Sequence, residues 1–188
     1  MTKQEIIDRL MDTGALLDGH FLLRSGLHSN RYFQAALALQ YTDVAAELCG
    51  ELARKFSGNQ VDAVISPAVG GIVVGQEVGR SMGVRAVFAE KDGNGGLILR
   101  RGFKLARNER VVVAEDVITR GGRVQQTIDL VQAQGAEVAG VAVLVDRSGG
   151  QAHLGVPVKS LIELDLATYK PDDCPLCRKS LELIKPGS

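Results

Sequence analysis

The chain has no tryptophan, and its aromatic rings are limited to five Phe and three Tyr in 188 residues. Cysteine is nearly as scarce. Cys49, Cys174 and Cys177 are too few, and odd in number, for a disulfide framework. A reducing, cytoplasmic setting is therefore expected. Neither sign of charge dominates: Lys+Arg and Asp+Glu number 22 each. No broad positive field is present to recruit nucleic acid, so no nucleic-acid partner is expected. No apolar run reaches about 18 residues, which gives no transmembrane helix and no membrane partner. Met1-Thr2-Lys3-Gln4-Glu5 lacks the apolar stretch of a signal peptide. Two common nucleotide signatures are also missing. No Gly-Lys dipeptide supplies a Walker A lysine, and no G-x-G-x-x-G follows a strand.

Glycine is abundant. Its 22 copies in 188 residues make about 12%, against a background of roughly 7%. Without low complexity, such an excess points to turns where backbone approaches something closely. The length suits one domain with an adequate core, expected as a hood over about 1–40, a core over about 41–165 and a tail over 166–188.

Thr2 and Glu5 form a capping box ahead of Ile6, Ile7, Leu10 and Met11, and predict a helix ending at Gly14. Residues 20–40 read as short strands and turns. Four of the eight rings (Phe21, Tyr32, Phe33 and Tyr41) crowd into residues 21–41. Thr42 is expected to cap a second helix running to about Phe56. After position 60, apolar strands at 61–65, 84–89, 111–114, 138–145 and 160–164 are interleaved with helices at 70–83 and 121–134. This alternation predicts an α/β fold with a mostly parallel sheet. Loops that leave its strands at one edge are where a ligand binds.

Chemistry concentrates in VVVAEDVITRGGRV, residues 111–124. A buried strand runs into Glu115 and Asp116, then Thr119, Arg120, Gly121 and Gly122, then a helix. Glycines at a strand-to-helix turn let backbone N–H groups surround an anion at the positive helix terminus. The two carboxylates beside that turn suit the vicinal hydroxyls of a ribose. The pattern reads as a ribose-5-phosphate cradle.

This stretch resembles the phosphoribosyl diphosphate (PRPP) motif of type I phosphoribosyltransferases, and departs from it at Arg120 and Arg123. The resemblance implies a Rossmann-like parallel core with a small N-terminal hood and a flexible catalytic loop. It implies Asp116, Glu115 and Lys91 as catalytic residues. PRPP would be bound by Arg24, Val69, Gly70, Lys91, Glu115, Asp116, Val117, Ile118, Thr119, Arg120, Gly121, Gly122 and Arg123. Ser66-Pro67-Ala68-Val69-Gly70-Gly71 resembles the family's pyrophosphate loop; Gly70 stands where some members carry Lys. Glu90 to Arg101, with Lys91, Asp92, Gly93, Asn94, Gly95 and Gly96, resembles the closing loop. Lys91, Arg100, Arg101 and Lys104 are its candidate diphosphate contacts.

Phe21-Leu22-Leu23-Arg24-Ser25-Gly26, with Ser29, Tyr32 and Phe33, is similar to the signature of the orotate phosphoribosyltransferase branch. That likeness implies orotate contacts from Tyr32, Phe33, Thr119 and Arg147. Arg147 would pair bidentately with the orotate carboxylate. It also implies Mg²⁺ held mainly by PRPP and water with no direct protein ligand, a homodimer, and transfer of ribose-5-phosphate from PRPP to orotate in UMP synthesis. A purine or xanthine phosphoribosyltransferase and a non-catalytic PRPP-fold regulator stand as alternatives. Cys174-Pro175-Leu176-Cys177 is a lone CxxC. Zinc needs about four ligands, and Cys49, His20, His28 and His153 stand at no metal spacing, so the motif reads as a structural turn.

Overall fold

The computed structural model describes residues 1–23 and 25–186. Arg24, assigned to PRPP by resemblance, lies outside the described residues. In chain order the elements are α1 (Lys3–Asp12), β1 (Leu16–Leu22), β2 (His28–Phe33), α2 (Ala35–Leu39), α3 (Thr42–Arg54), β3 (Ala63–Pro67), α4 (Gly71–Met82), β4 (Arg85–Lys91), β5 (Leu97–Leu99), β6 (Arg110–Ile118), α5 (Gly122–Ala133), β7 (Glu137–Asp146), β8 (Val158–Glu163), β9 (Thr168–Tyr169), a 3₁₀ turn (Pro171–Asp173) and α6 (Pro175–Arg178). None of these helices is long and apolar enough to cross a membrane.

The chain divides into two compact units, one of Met1–Ala38 with Leu164–Ser188 and one of Leu39–Glu163. In the first, the Thr2–Glu5 capping box forms as expected and starts α1, which buries Ile6 and Leu10. β1 pairs antiparallel with β2, and β2 with β9. The segment after position 165 belongs to this unit. It adds β9 to this small sheet and bridges Phe21 to Ile184. Its return also brings Cys174 and Cys177 to His20 and His28.

The second unit carries a six-stranded sheet in the order β5-β4-β3-β6-β7-β8, parallel except for β5. Its strands are apolar on both faces because both faces are covered. Ala63, Ile65, Val111, Val113, Val141 and Val143 join Val124, Ile128 and Val131 of α5 in one core layer. Val64 and Val112, equally buried, belong to the alternate set; a β-carbon on Gly75 of α4 would lie 3.8 Å from Val64.

Three local expectations change. Tyr41, not Thr42, is the N-cap of α3, and no side chain caps that helix. The strand expected at 111–114 continues to Ile118, because Val117 and Ile118 extend the ladder to Val145 and Asp146 of β7. The glycine-rich segment after Lys91 is a hairpin turn between β4 and β5. Asp92 builds it: its Oδ1 accepts from the N–H groups of Asn94 and Gly96.

Candidate active site

Sheet topology selects one place in the second unit. From β3 the chain moves outward to β4 on one side, whereas β6, β7 and β8 lie on the other. The connections leaving β3 and β6 diverge there and open a crevice at the carboxyl ends of the strands. The two glycine-bearing turns stand at this point, Pro67–Gly71 after β3 and Thr119–Gly122 after β6.

Glu115 and Asp116 sit near the end of β6. Glu115 is buried, with 6% of its surface exposed, and Asp116 is half-buried. The Asp116 N–H donates to Oε1 of Glu115 at 3.2 Å, and the Val117 N–H donates to Oδ1 of Asp116 at 2.8 Å. Burial, with the neighbouring Asp116 charge second, pushes the Glu115 carboxyl from its ordinary 4.5 up to about 8. Near neutral pH this side chain is largely a protonated acid. It offers a hydrogen-bond donor beside the acceptor oxygens of Asp116.

The turn after β3 is shaped to this pair. A β-carbon on Gly70 would lie 2.7 Å from Oδ2 of Asp116, and one on Gly71 would lie 3.0 Å from Oε1 of Glu115. Gly70 has an ordinary helical backbone, with φ −56° and ψ −42°, so close approach and not backbone freedom requires glycine there. Val69, 81% exposed, stands at the apex of the turn, and the Ala68–Val69 peptide is cis.

The turn after β6 has the opposite logic. Gly121 caps α5 in the left-handed region, with φ 76°. The carbonyl of Gly121 accepts from Gln125, which leaves the N–H groups of Gly122, Arg123 and Val124 as first-turn donors without intrahelical acceptors. A cavity of about 90 Å³ lies between Glu115 and residues 117–124. Val117 and Ile118 line it as strand residues, Ile118 with its side chain in the core. Thr119 and Arg120 are exposed at its rim.

Arg147 follows the end of β7, and its N–H donates to the Ile118 carbonyl at 2.8 Å. It therefore stands beside the β6 turn. Lys91 closes β4 and is exposed. Arg101 is engaged elsewhere, paired with Glu90 at 2.7 Å and stacked 5.6 Å from the Phe88 ring centroid. Lys91 and Arg100 have no ion pair among the described residues. Sequence reasoning missed Gln126. It accepts from Arg123 Nη1 at 2.9 Å and donates to the Gly95 carbonyl at 3.3 Å, tying the hairpin tip to α5. An ordinary polar helix residue carries no signal of that role.

Tyr32 and Phe33 belong to the first unit. Tyr32 is half-buried and its ring meets that of Phe21, with centroids 5.8 Å apart. Phe33 is buried at 7% exposure, so its ring is a core group and not an exposed wall for a flat ligand; its backbone is what it can offer.

Residues 38–176 match the phosphoribosyl transferase domain family. Orotate phosphoribosyltransferase of Desulforamulus reducens is 53% identical over all of this chain and 98% of its own length. The enzyme of the same name from Chlorobium phaeobacteroides strain BS1 is 52% identical over all of this chain and 97% of its own. Among solved structures, orotate phosphoribosyltransferase from Aeropyrum pernix superposes with a TM-score of 0.73 at 26% identity, covering 85% of this chain and 93% of that one. The switch-point crevice, the acid pair and the full-length likeness agree: this chain belongs to the phosphoribosyl transferase family, in its orotate phosphoribosyltransferase branch.

Proposed function

We propose that the protein transfers ribose-5-phosphate from PRPP to N1 of orotate, releasing diphosphate and forming orotidine 5′-phosphate for UMP synthesis. The observation that carries this reading is the convergence of Gly70 and Gly71 on Asp116 and Glu115, next to the amide-lined turn at Thr119–Gly122. A ribose phosphate needs those groups together. The first-turn amides of α5 receive the 5-phosphate. Protonated Glu115 donates to one ribose hydroxyl oxygen, and Asp116 accepts from the other hydroxyl.

The chemical step is governed by position and electrostatics. The C1–O bond to diphosphate breaks, the C1–N1 bond forms, and the N1 proton passes to the departing diphosphate. The ribose gains oxocarbenium character, which the charge on Asp116 favours. Exposed Lys91 supplies positive charge toward the departing diphosphate. Thr119 and Arg147 hold orotate, the guanidinium matching its carboxylate. The base-contact role of Tyr32 and Phe33, and the PRPP role of Arg24, rest on family likeness alone.

The family likeness also brings Mg²⁺. The donor set fits it: Asp116, half-buried at the crevice, offers hard carboxylate oxygens, as a small divalent cation prefers. Asp116 would hold the ion through water and the ribose hydroxyls, with no direct protein ligand. When bound, it neutralises charge on the diphosphate. By the same likeness the enzyme acts as a homodimer in the cytoplasm.

The test is diphosphate release from PRPP and Mg²⁺ with orotate, uracil, hypoxanthine or xanthine offered in turn. Turnover with orotate alone is expected. Turnover with a purine would reassign the substrate, and no turnover with any base would indicate a regulator.

A further inference from the structure

The first unit contains a second cluster that the transferase reaction does not use. His20 lies on β1, His28 opens β2, Cys174 precedes α6 and Cys177 lies within it. One ligand atom from each falls within 4.8 Å of all the others. We propose that His20 Nε2, His28 Nδ1, Cys174 Sγ and Cys177 Sγ form a structural zinc site that clips the C-terminal segment to the N-terminal hairpin.

The distances fit one ion. Cys177 Sγ lies 3.3 Å from His28 Nδ1 and 3.7 Å from His20 Nε2, and Cys174 Sγ lies 3.5 Å from His20 Nε2. Tetrahedral zinc, with Zn–S about 2.3 Å and Zn–N about 2.0–2.1 Å, sets S···N edges at about 3.5 Å. The two ring nitrogens stand 2.9 Å apart, so this edge opens by a few tenths of an ångström to about 3.3 Å around the ion.

Chemistry and surroundings agree with the geometry. Two thiolates and two imidazoles make a donor set that favours zinc over magnesium or calcium. The other nitrogen of His20, Nδ1, donates to the Leu181 carbonyl at 2.9 Å. That bond fixes the tautomer in which Nε2 presents its lone pair, as the outer partners of zinc-binding histidines do. His20, His28 and Cys174 are buried at 2%, 5% and 0% exposure, while Cys177 is exposed and gives the ion an entry path. A redox CxxC would need no buried pair of imidazole nitrogens facing its sulfurs.

Backbone pairing delivers the ligands. The Ile184 N–H donates to the His20 carbonyl, and the Leu22 N–H donates to the Ile184 carbonyl. Strand register sets Leu22 opposite His28, and His28 opposite Tyr169. An ion held here joins residues 154 positions apart, a loop far longer than local structure closes unaided. The site is in a different unit from the acid pair, and it does not depend on which base the enzyme uses.

The full-length, tag-free protein, purified without chelator from zinc-supplemented cells, is assayed for metal by plasma mass spectrometry. About one zinc per chain is expected. Protein stripped by chelator and titrated with Co²⁺ is expected to show the visible bands of tetrahedral cobalt and a near-ultraviolet thiolate-to-cobalt transition, both abolished by added Zn²⁺. Cys177→Ser, at an exposed position, is expected to keep the wild-type circular dichroism spectrum and to weaken zinc at least tenfold in competition with a chromophoric chelator. The proposal is overturned by wild-type protein that takes up neither metal, by a cobalt spectrum without the thiolate transition, by unchanged affinity in Cys177→Ser, or by a Cys174–Cys177 disulfide in the protein as isolated.

Discussion

Asp116 fills the space that a side chain at position 70 would need: a β-carbon on Gly70 would stand 2.7 Å from its Oδ2. The backbone there is helical, so alanine fits the chain and crowds only the carboxylate. Gly70→Ala is expected to leave stability unchanged or raise it by up to about 1 kcal/mol. It is expected to lower kcat/KM for PRPP about tenfold by displacing Asp116. Denaturant unfolding and steady-state kinetics on one preparation check the split. Wild-type kinetics in the variant would mean that Asp116 does not need its present position.

Glu115 predicts a pH signature. Its folded pKa of about 8 lies above the ordinary 4.5. Between those values the native state holds a proton that the unfolded state has lost. The favourable contribution is complete below about pH 4.5 and disappears as pH rises through about 8, with a limiting slope near 1.4 kcal/mol per pH unit. Denaturation midpoints of unliganded wild type should fall over that window relative to Glu115→Gln, which cannot titrate. Parallel curves for the two proteins would remove the buried proton from the account.

The acid pair and its turn were legible in sequence because the signal is local. An unbroken apolar strand, two acids and two glycines lie within 14 residues of chain. The interleaved strands and helices were legible for the same reason, through their periodicity. What sequence did not reveal depends on long-range pairing. Val117 and Ile118 lie beyond the strand expected at 111–114, yet β7 draws them into the ladder. β9 is two residues long and exists only because β2 lies beside it. His20 and Cys174 have no readable spacing at a separation of 154. Gly70 and Gly71 were readable as a turn, but that their missing side chains make room for carboxylates required the packed structure.

Arg147 stands beside the β6 turn through its N–H bond to Ile118. Loss of the guanidinium removes a partner for a carboxylate while leaving the phosphate cradle intact. Arg147→Ala is expected to raise KM for orotate at least tenfold and KM for PRPP less than about threefold. Varying each substrate at saturating levels of the other separates the two constants. An equal rise in both would argue against carboxylate recognition by this residue.

In the proposed reaction Asp116, beside Glu115 at the sheet's switch point, stabilises a ribose with developing positive charge. The most direct test is orotate-dependent diphosphate release by wild type and Asp116→Asn at saturating PRPP and Mg²⁺. The substitution keeps shape and removes charge. Wild type is expected to turn over orotate, and the variant to do so with a kcat at least about tenfold lower. Equal kcat values for the two proteins would contradict that role of Asp116.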